Sequence, residues 1–179
     1  MSEHRKLKQL FPIFAALVLL SCGQATDKSL GESAARKAPD NMNVKPFVFV
    51  VKNSDYSMAY SLQYILSDKE LRIIFSGELE GEHDSTLFQK DMEPSEELSK
   101  LSNVNIDSLK ELYQNPCVMD GSQIIVQLIK DGKEKTVQLS NYYQPDIGRA
   151  IELINSLTPK KYKIWYDKDE LLKEQENCK

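Results

Sequence analysis

Cysteine, histidine and clustered carboxylate are the residue types in this 179-residue chain that could carry chemistry. Cys117 follows Asn115-Pro116, and Cys178 lies near the other end of the C-terminal half. A nucleophilic Cys117 would need a lowered pKa and usually a histidine partner. The nearer of the two histidines, His83, sits in an acidic segment far away in sequence. Two inert thiols or a Cys117–Cys178 disulfide are the other readings. That disulfide would close a loop of about 60 residues, for which the chain-entropy model gives about 4 kcal/mol. Glu78, Glu80, Glu82 and Asp84 surround Gly81 and His83, a set of hard oxygen ligands with one imidazole. The spacing is not that of an EF-hand loop, and alternating acids on a hairpin more simply face water, so no metal and no other cofactor is assigned.

Carboxylates are plentiful, 27 in all, and a pair of them could hydrolyse glycosidic bonds. No pattern fixes two of them at a set separation in a cleft. A Gly-rich phosphate loop, a nucleophile elbow and paired metal-ligand spacing are all absent from the sequence. No catalytic residue is named on this basis. Aromatic side chains offer a different chemistry, that of recognition. Tyr142-Tyr143 and the Tyr162, Trp165, Tyr166 group combine large contact area with a polar handle. Trp165 and Tyr166 fall on opposite faces of an extended segment, so one belongs to the core. Tyr142, Tyr143, Trp165 and Tyr166 are the candidate binding surface, with ordinary packing as the simpler alternative.

The N-terminus carries an address. Arg5, Lys6 and Lys8 precede an apolar stretch, Leu10 to Leu20, which is closed by Ser21-Cys22. A run this short is a signal peptide and not a span, because a helix needs roughly 20 apolar residues to cross a bilayer. Leu19-Leu20-Ser21-Cys22 resembles the lipobox of bacterial lipoproteins. The resemblance implies that residues 1–21 are removed and that Cys22 receives a diacylglycerol and often further acylation. Such anchoring holds a protein stably at a membrane once two or more chains are present. Gly23, in place of a retention aspartate, implies delivery to the outer membrane. With Cys22 committed to lipid, Cys117 and Cys178 form an even pair in an oxidising compartment, which favours the disulfide.

Loss of that leader would lower the basic count from 23 to 20 and the acidic count from 27 to 26, a formal charge of -6. Such a surface, with its charges interspersed, does not suit nucleic acid. Residues 22–45 read as the lipidated cysteine and a polar tether, poor in large apolar side chains, with a root-mean-square span of roughly 25 to 30 Å as a flexible coil. Residues 46–179 are the size of one domain.

The elements that must position these residues begin with Phe47-Val48-Phe49-Val50-Val51, a strand. Tyr56, Met58, Tyr60, Leu62, Tyr64 and Leu66 alternate with smaller or polar residues as one apolar face. Ser67-Asp68-Lys69-Glu70 is a turn, and Leu71, Ile73, Phe75 and Leu79 return as the antiparallel partner. Thr86 to Gln89 adds another strand, and Pro94-Ser95 opens a short helical turn. Ile106, Leu109, Leu112 and Tyr113 form a helical stripe behind an Asn105 cap, ended by Pro116. Asp131-Gly132 joins two alternating strands as a hairpin. Pro145 opens a helix with Ile147, Ile151, Ile154 and Leu157 inward. Lys161 to Tyr166 completes the set as a last strand, and Asp167 with Glu170 has capping-box spacing for a terminal helix.

Together these predict an α+β domain, a mainly antiparallel sheet made of a meander and a hairpin, with two main helices packed on one face. In outline, Leu71 to Pro159 resembles small exported bacterial domains of unknown function. The expected role is a non-catalytic, lipid-tethered envelope module that binds an envelope protein, a peptide or a cell-wall component. An acid-residue hydrolase and a purely structural envelope component are the alternatives.

Overall fold

The structure is a computed structural model that describes residues 43–54, 60–77, 79–118, 121 and 123–178. The expected leader, the lipobox-like segment with Cys22 and the expected tether up to residue 42, together with Tyr56, Met58 and Glu78, lie outside the described residues. Seven strands and three helices make up the described part. In chain order the strands are β1 (Phe47–Ser54), β2 (Tyr60–Ser67), β3 (Glu70–Gly77), β4 (Ser85–Asp91), β5 (Leu112–Gln114), β6 (Gln123–Lys130) and β7 (Lys133–Ser140). The helices are α1 (Glu96–Ser102), α2 (Pro145–Leu157) and α3 (Lys168–Asn177).

One sheet holds all seven strands in the order β4-β3-β2-β1-β6-β7-β5. Every pairing is antiparallel except that of β5 with β7. The predicted meander and hairpin are both present, and β1 joins them as the strand between β2 and β6. At the β2–β3 turn, Ser67 Oγ accepts from the backbone N–H groups of Lys69 and Glu70 at 3.2 and 3.0 Å. The β6–β7 turn places Asp131 at φ 51° and Gly132 at φ 72°. That left-handed pair matches the right-handed twist of the two strands, which is why Asp-Gly occurs there.

Register explains the core. Phe49 stands opposite Leu66 and Leu128, Leu66 opposite Leu71, Tyr64 opposite Ile73, and Val126 opposite Val137. Because side chains alternate along a strand, all of these share one face, and all are buried. They form a single apolar cluster with Leu98 and Leu101 of α1, Ile147, Ile151 and Ile154 of α2, and Leu171 of α3. Tyr64, within this cluster, has its phenol pushed up to about 12 by burial.

Helix boundaries follow from their caps. Ser95 Oγ accepts from Leu98 N–H at 3.2 Å to open α1, and Gln144 Oε1 accepts from Ile147 N–H at 2.8 Å to open α2, where Pro145 takes the first helical position. Asp167 Oδ1 accepts from Glu170 N–H at 2.9 Å and opens α3, the terminal helix expected from that spacing.

Three sequence expectations are corrected. The stripe from Ile106 to Tyr113 is not a helix: Asn105 caps only the 3-10 turn Ile106–Ser108, after which the chain extends into β5. The open edge of β7 offers backbone partners, and Gln138 N–H donates to Glu111 O at 2.8 Å while Asn115 N–H donates to Ser140 O at 3.0 Å. Ile106 and Leu109 still point inward, but Leu112 is exposed. Leu79 belongs to the β3–β4 turn and is also exposed. Lys161 to Tyr166 forms no strand but a 3-10 turn, Lys160–Tyr162, followed by extended chain. Its alternation is as expected, with Ile164 and Tyr166 buried and Trp165 exposed. The ladder partner is instead one side chain. Asn155 Oδ1 accepts from Ile164 N–H and Asn155 Nδ2 donates to Ile164 O, each at 2.8 Å.

Candidate functional site: the second sheet face

The residues that alternate with the core define the other face of the sheet. Val48 lies between Ser67 and Ile129, Val50 between Ile65 and Gln127, and Lys52 between Gln63 and Ile125. Ile65 in turn faces Arg72, and Gln63 faces Ile74. Six aliphatic side chains thus share this face across four strands: Val48, Val50, Ile65, Ile74, Ile125 and Ile129. Ile125 is 44% exposed and Ile129 37%, and the other four are half-buried. One solvated face is normal for an antiparallel sheet, but such a face ordinarily alternates to polar residues. Here the six aliphatic side chains lie among Lys52, Gln63, Ser67, Arg72 and Gln127, a mixed face whose apolar component a partner could cover.

Polar groups lie within and beside these aliphatic side chains. Arg72 Nε lies 2.8 Å from Glu70 Oε1, and Gln127 Nε2 donates to Glu134 Oε1 at 2.6 Å. Beyond Ile125 the surface dips into a shallow depression of about 360 Å³, lined by Thr136, Gln138, Glu134, Lys135 and Glu111. Lys135 Nζ and Glu111 Oε1 close its rim at 3.4 Å. Aliphatic floor and polar edge suit the docking of an apolar protein or peptide segment.

Sequence reasoning missed this face, although the signal was there. Phe47 to Val51, Ile124-Ile125-Val126, Leu128-Ile129 and Ile73-Ile74 are continuous apolar runs, where a strand with one wet face would alternate.

The four residues expected from sequence to form a surface are not brought together as one. Tyr143 and Tyr166 are buried and stack with ring centroids 5.5 Å apart. Tyr166 Oη donates to Tyr142 O at 2.9 Å and accepts from Gln144 N–H at 3.0 Å. Burial raises the Tyr166 phenol well above its ordinary value. Tyr143 Oη donates to Glu152 Oε1 at 3.2 Å, and burial followed by that carboxylate raises its pKa too. Both rings are therefore packing elements. Tyr142 is half-buried and leans on Tyr113 with centroids 5.4 Å apart, leaving Trp165, 53% exposed, as the open member of the set.

Cys117 and Cys178 are joined in a disulfide with Cα atoms 5.6 Å apart, tying the end of α3 to the segment after β5. The sulfur is thereby withdrawn from nucleophilic chemistry. In the acidic turn, Asp84 Oδ1 accepts from Ser76 Oγ at 2.7 Å and Glu82 Oε2 accepts from Leu79 N–H at 3.4 Å. Among the described residues no three of His, Cys, Asp and Glu converge as a metal site would require. Carboxylates meet bases instead in a groove of about 320 Å³ between α1 and α2, where Glu97 and Glu152 alternate with Lys100 and Arg149 over Leu101 and Leu153. Lys100 is held by Glu96 at 2.6 Å and its ammonium lowers the Glu96 pKa, while Arg149 pairs with Asp146 at 3.0 Å.

No family model, no curated protein and no solved structure matches the chain. No helix among the described residues is long and apolar enough to cross a membrane.

Proposed function

We propose that this chain is a non-catalytic binding module of the bacterial cell envelope, held by lipid on Cys22, most consistent with the outer membrane, which takes a protein or peptide partner on the second sheet face. The observation that carries the reading is the set of six aliphatic side chains on that face, with Ile125 and Ile129 exposed among polar neighbours. We infer further that the helices pack together against the other face and leave this one for the partner. Their inward residues share a single cluster with Phe49, Leu66 and Val126, which supports that arrangement. The lipobox supports the address, and the Cys117–Cys178 disulfide suits an oxidising compartment.

The test uses the full chain in its host. A photo-crosslinking residue at position 125 or 129 is expected to capture a defined partner that one at position 97 does not. With the crosslinker at 125, Ile129→Glu, and with it at 129, Ile125→Glu, should abolish capture while leaving the melting temperature within a few degrees, since both side chains are exposed. An unchanged crosslink pattern in either glutamate variant would refute the sheet face as the site. Cys22→Ala should move the protein from the membrane to the soluble fraction. If it stays on the membrane, the lipid address is wrong.

A further inference from the structure

Position 130 is the fourth inward position of β6, after Ile124, Val126 and Leu128, and the alternation calls for another apolar residue there. The residue is a lysine, 9% exposed. Its Nζ donates to Val104 O at 2.9 Å, and it belongs to no ion pair among the described residues. An ammonium has three protons to donate, and one carbonyl takes only one of them. A nine-tenths buried cation without a counter-charge is unfavourable, and a methionine of similar reach would fill the same space without that penalty.

Lys130 is not sealed in. It lines an open cavity of about 340 Å³ between the α1 exit and the β6–β7 hairpin, together with Lys45, Lys133, Asn103, Asp107 and Asp131. Lys133 Nζ is paired with Asp107 Oδ2, which settles that carboxylate. Lys45 is exposed at the mouth and has no carboxylate partner among the described residues. With Asp131 counted, the cavity keeps a net positive charge inside a chain of formal charge -4. No arginine contributes the planar fork that suits a carboxylate; the cations are ammonium point charges approaching from separate elements, an arrangement that suits a tetrahedral oxyanion.

We propose that this cavity binds a phosphate group, with Lys130 donating to it from below and Lys45 approaching it from the segment that leads into β1. The group belongs either to a soluble phosphate compound or to a lipid headgroup, and the two sources share this chemistry. The site is independent of the sheet face and of any partner there.

Inorganic phosphate titrated into the full chain at constant ionic strength, followed by amide NMR, tests the proposal. Saturable shifts at Val104 and Asp131 that chloride does not produce are expected. Lys130→Met should weaken binding by about tenfold or more and the exposed Lys45→Glu by about tenfold, as loss or reversal of one charge contact implies. Should Lys130→Met fail to fold, Lys45→Glu alone decides the matter. Sedimentation of the Cys22→Ala chain with phosphatidic acid vesicles, against phosphatidylcholine alone, separates the sources. Co-sedimentation that Lys45→Glu abolishes assigns a headgroup, and phosphate saturation without it assigns a soluble ligand. Equal responses to phosphate and chloride, or a Lys45→Glu variant that binds phosphate as the native chain does, would overturn the site.

Discussion

Gly148, in the second turn of α2, sits where two effects of opposite sign compete. Replacing an interior helix glycine by alanine ordinarily stabilises by about 1 kcal/mol, through the backbone entropy that glycine loses. A Cβ at this position would stand 2.5 to 2.6 Å from Cε2, Cζ and Oη of Tyr143. The ring must then shift by about 1 Å to reach ordinary contact distance. It has little room to do so. Its far side stacks on Tyr166 at 5.5 Å, its hydroxyl is held by Glu152 at 3.2 Å, and its backbone N–H donates to Gln175 Oε1 at 2.5 Å. Forcing a methyl into such a contact costs typically about 1 to 3 kcal/mol, and loosening the Glu152 bond adds about 1 kcal/mol. Gly148→Ala is therefore expected to destabilise by about 1 to 3 kcal/mol net, a fall in melting temperature of roughly 3 to 12 °C for a domain of this size. Urea unfolding of the four chains of a cycle with Tyr143→Ala supplies the check. In the Tyr143→Ala background the clash is gone, and Gly148→Ala should turn stabilising by up to about 1 kcal/mol. If Gly148→Ala stabilises the native chain, or if its effect is the same in both backgrounds, the wedge between α2 and the tyrosine stack is refuted.

Tyr166→Phe should cost about 1 to 3 kcal/mol, because it strips a donor from Tyr142 O and an acceptor from the buried Gln144 N–H, and the urea midpoint reports it. High pH should weaken the fold through Tyr64, Tyr143 and Tyr166, whose phenols are all raised by burial. The native state retains protons that the unfolded chain releases near pH 10, so stability is full below that value and declines as pH rises from 10 towards 12. Each tyrosine adds at most about 1.4 kcal/mol per pH unit. Denaturation curves at pH 8 to 11.5 test this, and a midpoint that does not move above pH 10 would contradict it.

Much of the frame could be read from residues whose conformational preferences are local. Asp131-Gly132 specifies its hairpin because few other pairs accept two left-handed residues, and Pro145 marks the α2 entry because its missing N–H costs nothing at the first helical position. Where a tertiary partner decides, the reading failed. Ile106, Leu109 and Tyr113 have helical spacing, but two backbone bonds to the free β7 edge outweigh what one further helical turn would gain. Lys161 to Tyr166 alternates like a strand because one side is buried, yet its partner is the Asn155 amide, which no local pattern announces. The candidate face was legible in composition but hidden by the habit of assigning each strand one wet side. Lys130, polar at an inward position, was another visible exception whose meaning depended on a cavity formed by distant segments.

The place of β1 in the sheet has a kinetic consequence. Phe49 pairs with Leu66 on one side through a short connection and with Leu128 on the other after a long detour of chain. Closing the second contact costs more loop entropy, so β1 to β4 and the β6–β7 hairpin are expected to assemble first as two half-sheets. Pulse-labelled hydrogen exchange should protect β2–β3 and β6–β7 amides before those shared by β1 and β6, and simultaneous protection would contradict this order. In the interval, the neighbouring edges of β1 and β6 are both unpaired and lie in the most apolar strands of the chain. The window for misassembly closes only when that single seam zips, which makes it the step a chaperone would have to guard.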